Sequence, residues 1–110
     1  MAEKDLFARG ATELFILSAL SEQDMYTYQI SQKIQEQSSN RFNLSEGILY
    51  SILYKFSKAG YVSEWTEVVK RRIRVYYHLE DSGKEYYKRC LSSYKEISQY
   101  LNQLLAKEKE

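Results

Sequence analysis

Residues 44–79 constrain the fold of this chain more than any other segment. A stretch with helical spacing, LSEGILYSILYKFSKAG, leads through YVSEWTEV to the basic run KRRIR and then to the extended segment VYYHL. One helix followed directly by a two-stranded hairpin with cations at its turn is how a winged helix-turn-helix domain ends. The segment therefore predicts a domain that lays a helix and a hairpin on DNA.

The helix in this segment has one apolar side and one polar side. The apolar residues recur at spacings of three and four; they are Leu44, Ile48, Leu49, Ile52, Leu53 and Phe56. Ser45 can cap the N-terminus and Gly60 can end the helix in the left-handed conformation, which predicts a helix over 45–59. The other side mixes hydroxyls with cations; it carries Glu46, Tyr50, Ser51, Tyr54, Lys55 and Lys58. Alone, it would also fit a solvated amphipathic helix.

The pattern changes to alternation after Gly60, with a first strand from Val62 and a second over 74–79. Lys70, Arg71 and Arg72 are expected at or near the turn between them. Such a turn can follow a phosphate backbone while the preceding helix enters the major groove, because phosphate contacts fix the register and helix side chains read base edges.

The distribution of charge supports this interpretation better than the total of +1 does. Residues 1–40 contain three Lys/Arg and six Asp/Glu (−3), residues 41–75 contain seven and three (+4), and residues 76–110 contain six and six (0). The positive charge is confined to the predicted helix and hairpin. A local basic face on a nearly neutral chain suits a specific binder better than a protein that coats nucleic acid.

Two further helices are predicted before this segment. The stretch TELFILSAL at 12–20 is apolar on most sides, which indicates a short buried helix. After a turn over 21–25, residues 26–37 place Tyr28, Ile30 and Ile34 on one face, with Thr27 as the expected cap. The loop 38–43 then leads to the third helix and completes a three-helix unit with a wing.

The last third of the chain predicts one long helix, from a capping box formed by Ser82 and Glu85 to about Lys107, roughly 39 Å in length. Its apolar stripe has the three-and-four spacing of paired helices; the stripe comprises Tyr87, Cys90, Tyr94, Ile97, Leu101 and Leu104, flanked by Leu91, Ser98 and Leu105. We expect a homodimer held by this helix, although packing on the helix's own domain is the alternative. Two-fold pairing would separate two recognition helices by one DNA turn, ~34 Å, and would require a palindromic site.

Composition restricts the other functions open to the chain. With 110 residues and 44% apolar content we expect one compact unit, a winged domain over 1–80 and a dimerisation helix over 81–110. No apolar run approaches the ~18 residues of a membrane span, and the N-terminus does not resemble a signal peptide, so we expect a cytoplasmic protein.

Metal sites and catalytic motifs are also not expected. One cysteine and one histidine cannot form a structural zinc site, and Cys90 is interpreted as a small apolar residue. Phosphate-binding loops, nucleophile elbows and zinc-protease motifs are absent, which predicts a non-enzyme without a cofactor, with His78 as an exposed strand residue and Glu80 and Asp81 at a helix start. The alternative to a DNA-binding regulator is a winged module that binds another protein.

Four segments in order, ARGATELFILSAL, YTYQISQKI, LSEGILYSILYKFSKAGYV and VYYHLEDSG, resemble PadR-family transcriptional regulators in their short form with one C-terminal helix. The resemblance covers roughly residues 6 to 105. It implies a mainly α winged helix-turn-helix with a small β-hairpin and a dimeric repressor that binds double-stranded DNA, often at genes for detoxification or drug efflux. In some members a small-molecule effector releases the repressor.

By position, the resemblance assigns DNA contacts to the head of the second helix, the recognition helix and the basic wing. The expected DNA-binding residues are Tyr28, Ser45, Tyr50, Ser51, Lys55, Lys58, Lys70, Arg71, Arg72 and Arg74; the expected dimer interface is Tyr87, Cys90, Leu91, Tyr94, Ile97, Leu101 and Leu104. Tyr94, near the middle of the last helix, is the expected effector contact. The chain departs from the family at Lys70 and Arg71, where many members have two glycines.

Overall fold

The computed structural model describes the backbone of residues 3–41 and 44–108 and the side chains of residues 10–41 and 44–108. Over these residues the chain folds into four helices and a small antiparallel sheet. In chain order the elements are α1 (Glu3–Glu22), β1 (Met25–Tyr26), α2 (Thr27–Gln37), α3 (Glu46–Lys58), β2 (Val62–Val69), β3 (Arg72–Leu79) and α4 (Asp81–Glu108). This is the predicted three-helix unit, wing and long last helix.

One hydrophobic core holds the three N-terminal helices against the inner face of the sheet. Its fully buried large side chains come from α1, α2, α3 and β3; they are Ile16, Leu17, Ile30, Ile34, Leu49, Leu53, Phe56 and Leu79. The helical spacing predicted this core well, with one correction. Ile48, assigned to the apolar side of α3, is 46% exposed, because at ~100° per residue it lies about a quarter turn to the side of the buried stripe of Leu49, Leu53 and Phe56.

The N-terminal elements differ from the prediction in three ways. Helix α1 extends over Glu3–Glu22 instead of 12–20, since no proline interrupts it and Gly10 only weakens a helix. Met25 and Tyr26, expected in a turn and a helix, form β1 and pair with Tyr77 and Tyr76 of β3. This pairing holds Tyr26 extended, so that Tyr26 is the N-cap of α2 and the expectation for Thr27 was wrong.

Both predicted ends of α3 are confirmed. The Ser45 hydroxyl accepts a hydrogen bond from the backbone N–H of Ile48 at 3.2 Å. At the other end Gly60 has φ of 80°. The N–H of Gly60 donates to the carbonyl of Ser57 and that of Tyr61 donates to the carbonyl of Phe56, which together form a Schellman motif. The rings of Phe56 and Tyr61 make its usual hydrophobic contact, with centroids 6.2 Å apart.

The wing is a hairpin closed by two residues. Val69 lies opposite Arg72, so Lys70 and Arg71 alone form the turn, with φ of 49° and 67°. Left-handed backbone at both central positions is the requirement of a type I′ turn, the connection that fits the twist of the flanking strands. As a consequence β3 begins at Arg72, two residues before the predicted strand. The strand order is β1-β3-β2.

Helix α4 begins one residue before the predicted start, and Ser82 does not form a capping box. Its hydroxyl donates instead to the carbonyl of Gly60 at 2.7 Å, while the Glu80 carbonyl accepts the first helical hydrogen bond, from Lys84. The Glu80 carboxylate accepts a hydrogen bond from Ser63 at 2.6 Å. Glu80 and Asp81 are therefore helix-start residues as predicted.

The two halves of α4 have different surroundings. In the first half Gly83 is buried, and Tyr86 and Tyr87 pack against the core. Burial raises the pKa of Tyr86 to about 12, with a hydrogen bond to Cys90 as a further cause. From Leu91 to Glu108 every residue except Ser98 is exposed. These 18 residues form a projecting arm of about 27 Å.

Among the residues that the structure describes, no helix has the length and apolar character needed to cross a membrane.

Candidate nucleic-acid interface

The outward side of α3 presents hydroxyl groups and cations. Since Leu49, Leu53 and Phe56 point into the core, residues on the opposite side of the helix face solvent. The exposed or partly exposed side chains include five of the predicted DNA contacts, which are Ser45, Tyr50, Ser51, Lys55 and Lys58. Tyr54, at 65% exposure, belongs to the same face. The prediction of one polar, accessible helix face agrees with this arrangement.

The two lysines of α3 already have partners within the chain. Lys55 Nζ lies 3.0 Å from Glu13 Oε1 of α1, and Lys58 Nζ lies 5.5 Å from the centre of the Tyr54 ring. Both contacts are at the surface, where an ion pair contributes little stability. A phosphate could therefore replace either contact at small cost, although Lys55 must leave Glu13 to make that exchange.

The wing adds a second basic feature beyond the core. All four of its predicted contacts, Lys70, Arg71, Arg72 and Arg74, are exposed. Along β3, exposure rises from buried Leu79 and Tyr77 through partly buried Val75 to Ile73, which is 70% exposed. The hairpin thus extends past the end of the core and carries its cations on a protruding tip. A protruding cationic tip is suited to phosphate contact.

Alternation along the hairpin places a row of aromatic rings on the outer face of the sheet. Trp65 of β2 stacks on Tyr76 of β3 at 4.2 Å with an interplanar angle of 8°. Tyr76 meets Tyr26 of β1 edge to face at 5.4 Å, and the Arg74 guanidinium lies 4.6 Å from the centre of the Tyr26 ring. Tyr28, a predicted DNA contact at 62% exposure, continues the row at 6.4 Å from Tyr26. We call Tyr26, Tyr28, Trp65 and Tyr76 the aromatic row.

A carboxylate next to this row contacts both strands of the wing. Asp24 Oδ2 accepts a hydrogen bond from Trp65 Nε1 at 2.8 Å, and Asp24 Oδ1 lies 2.7 Å from His78 Nδ1. An ionised carboxylate can only accept, so His78 Nδ1 carries the hydrogen. Partial burial alone would raise the pKa of Asp24, but these two hydrogen bonds outweigh it and lower the pKa below its usual 3.8.

Sequence reasoning placed the basic helix face and wing but missed the aromatic row and Asp24. Two of the four residues in that row, Trp65 and Tyr76, could have been predicted as neighbours. A two-residue turn at Lys70 and Arg71 places Trp65 opposite Tyr76, but the absence of glycine concealed where the turn lies. Nothing in the sequence pointed to Asp24, which falls in a segment interpreted as a plain turn. His78 is exposed in its strand as predicted, and its partner was not foreseen.

The sequence and the fold both resemble those of known proteins. The family described as "Transcriptional regulator PadR-like family" matches residues 16–89. A transcriptional regulator from Clostridium thermocellum is 29% identical, with a TM-score of 0.83 over 88% of this chain and 95% of that chain. A Streptococcus mutans structure is 33% identical, with a TM-score of 0.76 over 89% of each chain. A PadR family transcription regulator from hypervirulent Clostridium difficile is 25% identical, with a TM-score of 0.73 over 86% and 98%.

Proposed function

Because this chain belongs to the PadR-like family of transcriptional regulators, we propose that it is a dimeric repressor that binds a palindromic operator and releases it when a small molecule binds. Members of this family regulate transcription through DNA and are not enzymes. The family settles the class of protein. The repressor role, the symmetry of the DNA site and the effector are our proposal.

One observation carries the DNA-binding part of the proposal: the cations of the wing and the polar face of α3 are both accessible. In this arrangement α3 enters the major groove, where Tyr50 and Ser51 meet base edges, and Ser45 lies at the entering end of the helix. Lys55 and Lys58 approach the backbone. Tyr28 approaches it from α2, and the four wing cations follow the phosphates beside the groove.

The arm of α4 supports the dimeric part of the proposal. The side chains of Leu91, Tyr94, Ile97, Leu101 and Leu104 are each at least 44% exposed, and an apolar stripe of this length is covered in stable proteins. We propose that a second copy of the chain covers this stripe. Cys90 and Tyr87 would then lie at the base of the seam between the two α4 helices. A two-fold pair of arms would present two α3 helices to successive major grooves.

We assign the effector to the same seam. Tyr94 is 53% exposed and lies near the middle of α4, so in a dimer its ring would face the partner helix. A small aromatic or drug-like molecule can stack on such a ring. With Tyr94→Ala we expect weaker ligand-induced release from DNA and unchanged operator affinity without ligand, both measured by fluorescence anisotropy. Equal weakening of the two would identify Tyr94 as a packing residue instead.

The experiment that tests the proposal is selection of DNA from a random pool by the purified full chain. We expect a selected site with two-fold symmetry and half-sites one helical turn apart, ~10 base pairs. A site without symmetry would contradict the dimeric mode of binding. Failure to enrich any sequence would contradict DNA recognition by this chain.

A further inference from the structure

We infer that Asp24 is a positioning residue for DNA binding, which fixes the wing relative to α2 before DNA arrives. Asp24 lies in the two-residue connection between α1 and β1, and its carboxylate reaches one residue on each strand of the wing, Trp65 on β2 and His78 on β3. The inference rests on the proposed function, since it assigns a role within that same interface.

Besides Asp24 and the aromatic row, the described residues attach the outer face of the wing through Arg74 over the Tyr26 ring and through the hydrogen bond from Ser63 to Glu80. Strand β1 contributes two pairs, Met25 with Tyr77 and Tyr26 with Tyr76. Most of the hairpin between Thr66 and Arg74 is exposed and extends past the core. A hairpin attached at its base can change its angle to the helices unless side chains at the base prevent that motion. Asp24 occupies this base and joins both strands to the end of α1.

The aromatic row extends this attachment to the head of α2. Trp65, held by Asp24, stacks on Tyr76, and Tyr76 meets the ring of Tyr26, the N-cap of α2. Tyr28, two residues further along, is a proposed DNA contact. Movement of the wing would therefore break a continuous set of contacts from Asp24 to α2. Because the row is preformed, no ordering of the wing opposes binding to DNA.

The charge of Asp24 allows positioning to be separated from a simple electrostatic effect. An anion near a DNA-binding surface repels phosphates, so removing its charge should strengthen binding if the field alone mattered. Removing a residue that positions the wing should weaken binding. If Asp24→Ala, which removes both oxygen acceptors, leaves about one molecule in ten with the wing in place, the apparent dissociation constant rises about tenfold. The phosphate contacts are still made in the complex, so the salt dependence should not change.

The experiment compares Asp24→Ala with Asp81→Ala on the DNA selected by the wild-type chain. Both substitutions remove one negative charge, and the Asp81 side chain is fully exposed at the start of α4. We expect about tenfold weaker binding for Asp24→Ala, an unchanged slope of log affinity against log salt, and wild-type or slightly tighter binding for Asp81→Ala. In NMR spectra Trp65, the single tryptophan, gives one indole N–H signal, which should move upfield only in Asp24→Ala, where no side-chain oxygen accepts from it.

A second variant tests whether Asp24 acts through Trp65. Trp65→Phe keeps an aromatic ring for stacking but removes the N–H donor. We expect the double variant to bind DNA about as weakly as the Asp24→Ala variant, because each change breaks the same hydrogen bond. If the two changes weaken DNA binding additively, Asp24 does not act through Trp65.

The outcomes separate this inference from the proposed function. A wild-type chain that selects no DNA would overturn both. Wild-type binding to a selected site together with equal or tighter binding by Asp24→Ala would overturn only the positioning role. A flatter salt slope in Asp24→Ala would also overturn it, because it would mean that the wing no longer reaches its phosphates even in the complex.

Discussion

Among the glycines that the structure describes, Gly83 is the one whose surroundings leave no room for a Cβ. It is buried in the first turn of α4, where the helix passes the end of α3. A Cβ at this position would lie 2.6 Å from Leu79 Cδ1 and closer still to the backbone carbonyl oxygen of Tyr61. The neighbouring hydroxyl of Ser82 fixes the same approach through its hydrogen bond to Gly60. The close backbone approach of α4 to the α3–β2 connection therefore requires glycine at this position.

We expect Gly83→Ala to lower the free energy of unfolding by about 2 kcal/mol, because overpacking a well-packed site costs about 1–3 kcal/mol. Gly47→Ala is the matched control, since a Cβ on this helical glycine meets no atom within 4 Å; it should raise stability by up to about 1 kcal/mol. Urea unfolding of the three proteins provides the measurement. Equal stability of Gly83→Ala and the wild type would contradict the close approach.

At the scale of elements, the turn of the wing has a costly backbone conformation but carries two cations. Lys70 and Arg71 adopt left-handed backbone, which residues with a Cβ adopt at a cost of roughly 1–2 kcal/mol each. Asn-Gly would adopt it more readily. The chain keeps two cations at the tip, where the proposed phosphate contacts are made. This suggests that DNA binding, and not stability, determines the residues of the turn.

Replacing Lys70 with Asn and Arg71 with Gly should therefore stabilise the protein by about 1–2 kcal/mol, since Asn and Gly accept positive φ. The control is the double alanine variant at the same positions. It removes the same two charges and retains the backbone cost, so it should show no gain. Chemical unfolding at high salt isolates the backbone effect from charge repulsion. A gain of equal size in both variants would mean that repulsion between the cations was the cause.

We expect the cations of the wing to set much of the salt dependence of DNA binding. Arg72→Ala combined with Arg74→Ala should flatten the slope of log affinity against log salt, by up to about 0.9 for each phosphate that the wing no longer neutralises. Lys88→Ala combined with Lys95→Ala on α4 removes the same charge away from the proposed surface and should leave the slope nearly unchanged. Titrations at several salt concentrations give both slopes. An unchanged slope in the arginine variant would remove the wing from the mechanism.

At the scale of the whole molecule, the projecting arm determines the shape. The principal extents are 61 × 28 × 23 Å, and the longest far exceeds what a compact domain of this size requires. The arm exposes an apolar stripe that its own domain does not cover. A second copy of the chain, paired through the same stripe, would bury it and complete the proposed DNA-binding unit.

Leu101→Glu should yield monomers, because it would bury a charge without a partner in the seam. Gln99→Glu adds the same charge on the other side of α4, at a position that is also exposed, and should leave the dimer intact. Sedimentation velocity distinguishes the two states. A dimer that persists in Leu101→Glu would reject this interface, and a wild-type monomer would reject the proposed assembly.

The sequence by itself determined the helices, the core, the wing and the basic surface, because each follows from the spacing of residue types over short stretches of the chain. Ser45 and Gly60 mark the ends of α3 through local hydrogen bonds and backbone preference. The tertiary structure decided what depends on residues distant in the chain. Strand β1 exists because β3 pairs with it, Tyr26 caps α2 for that reason, and Asp24 has a role only because two strands bring Trp65 and His78 within hydrogen-bonding distance.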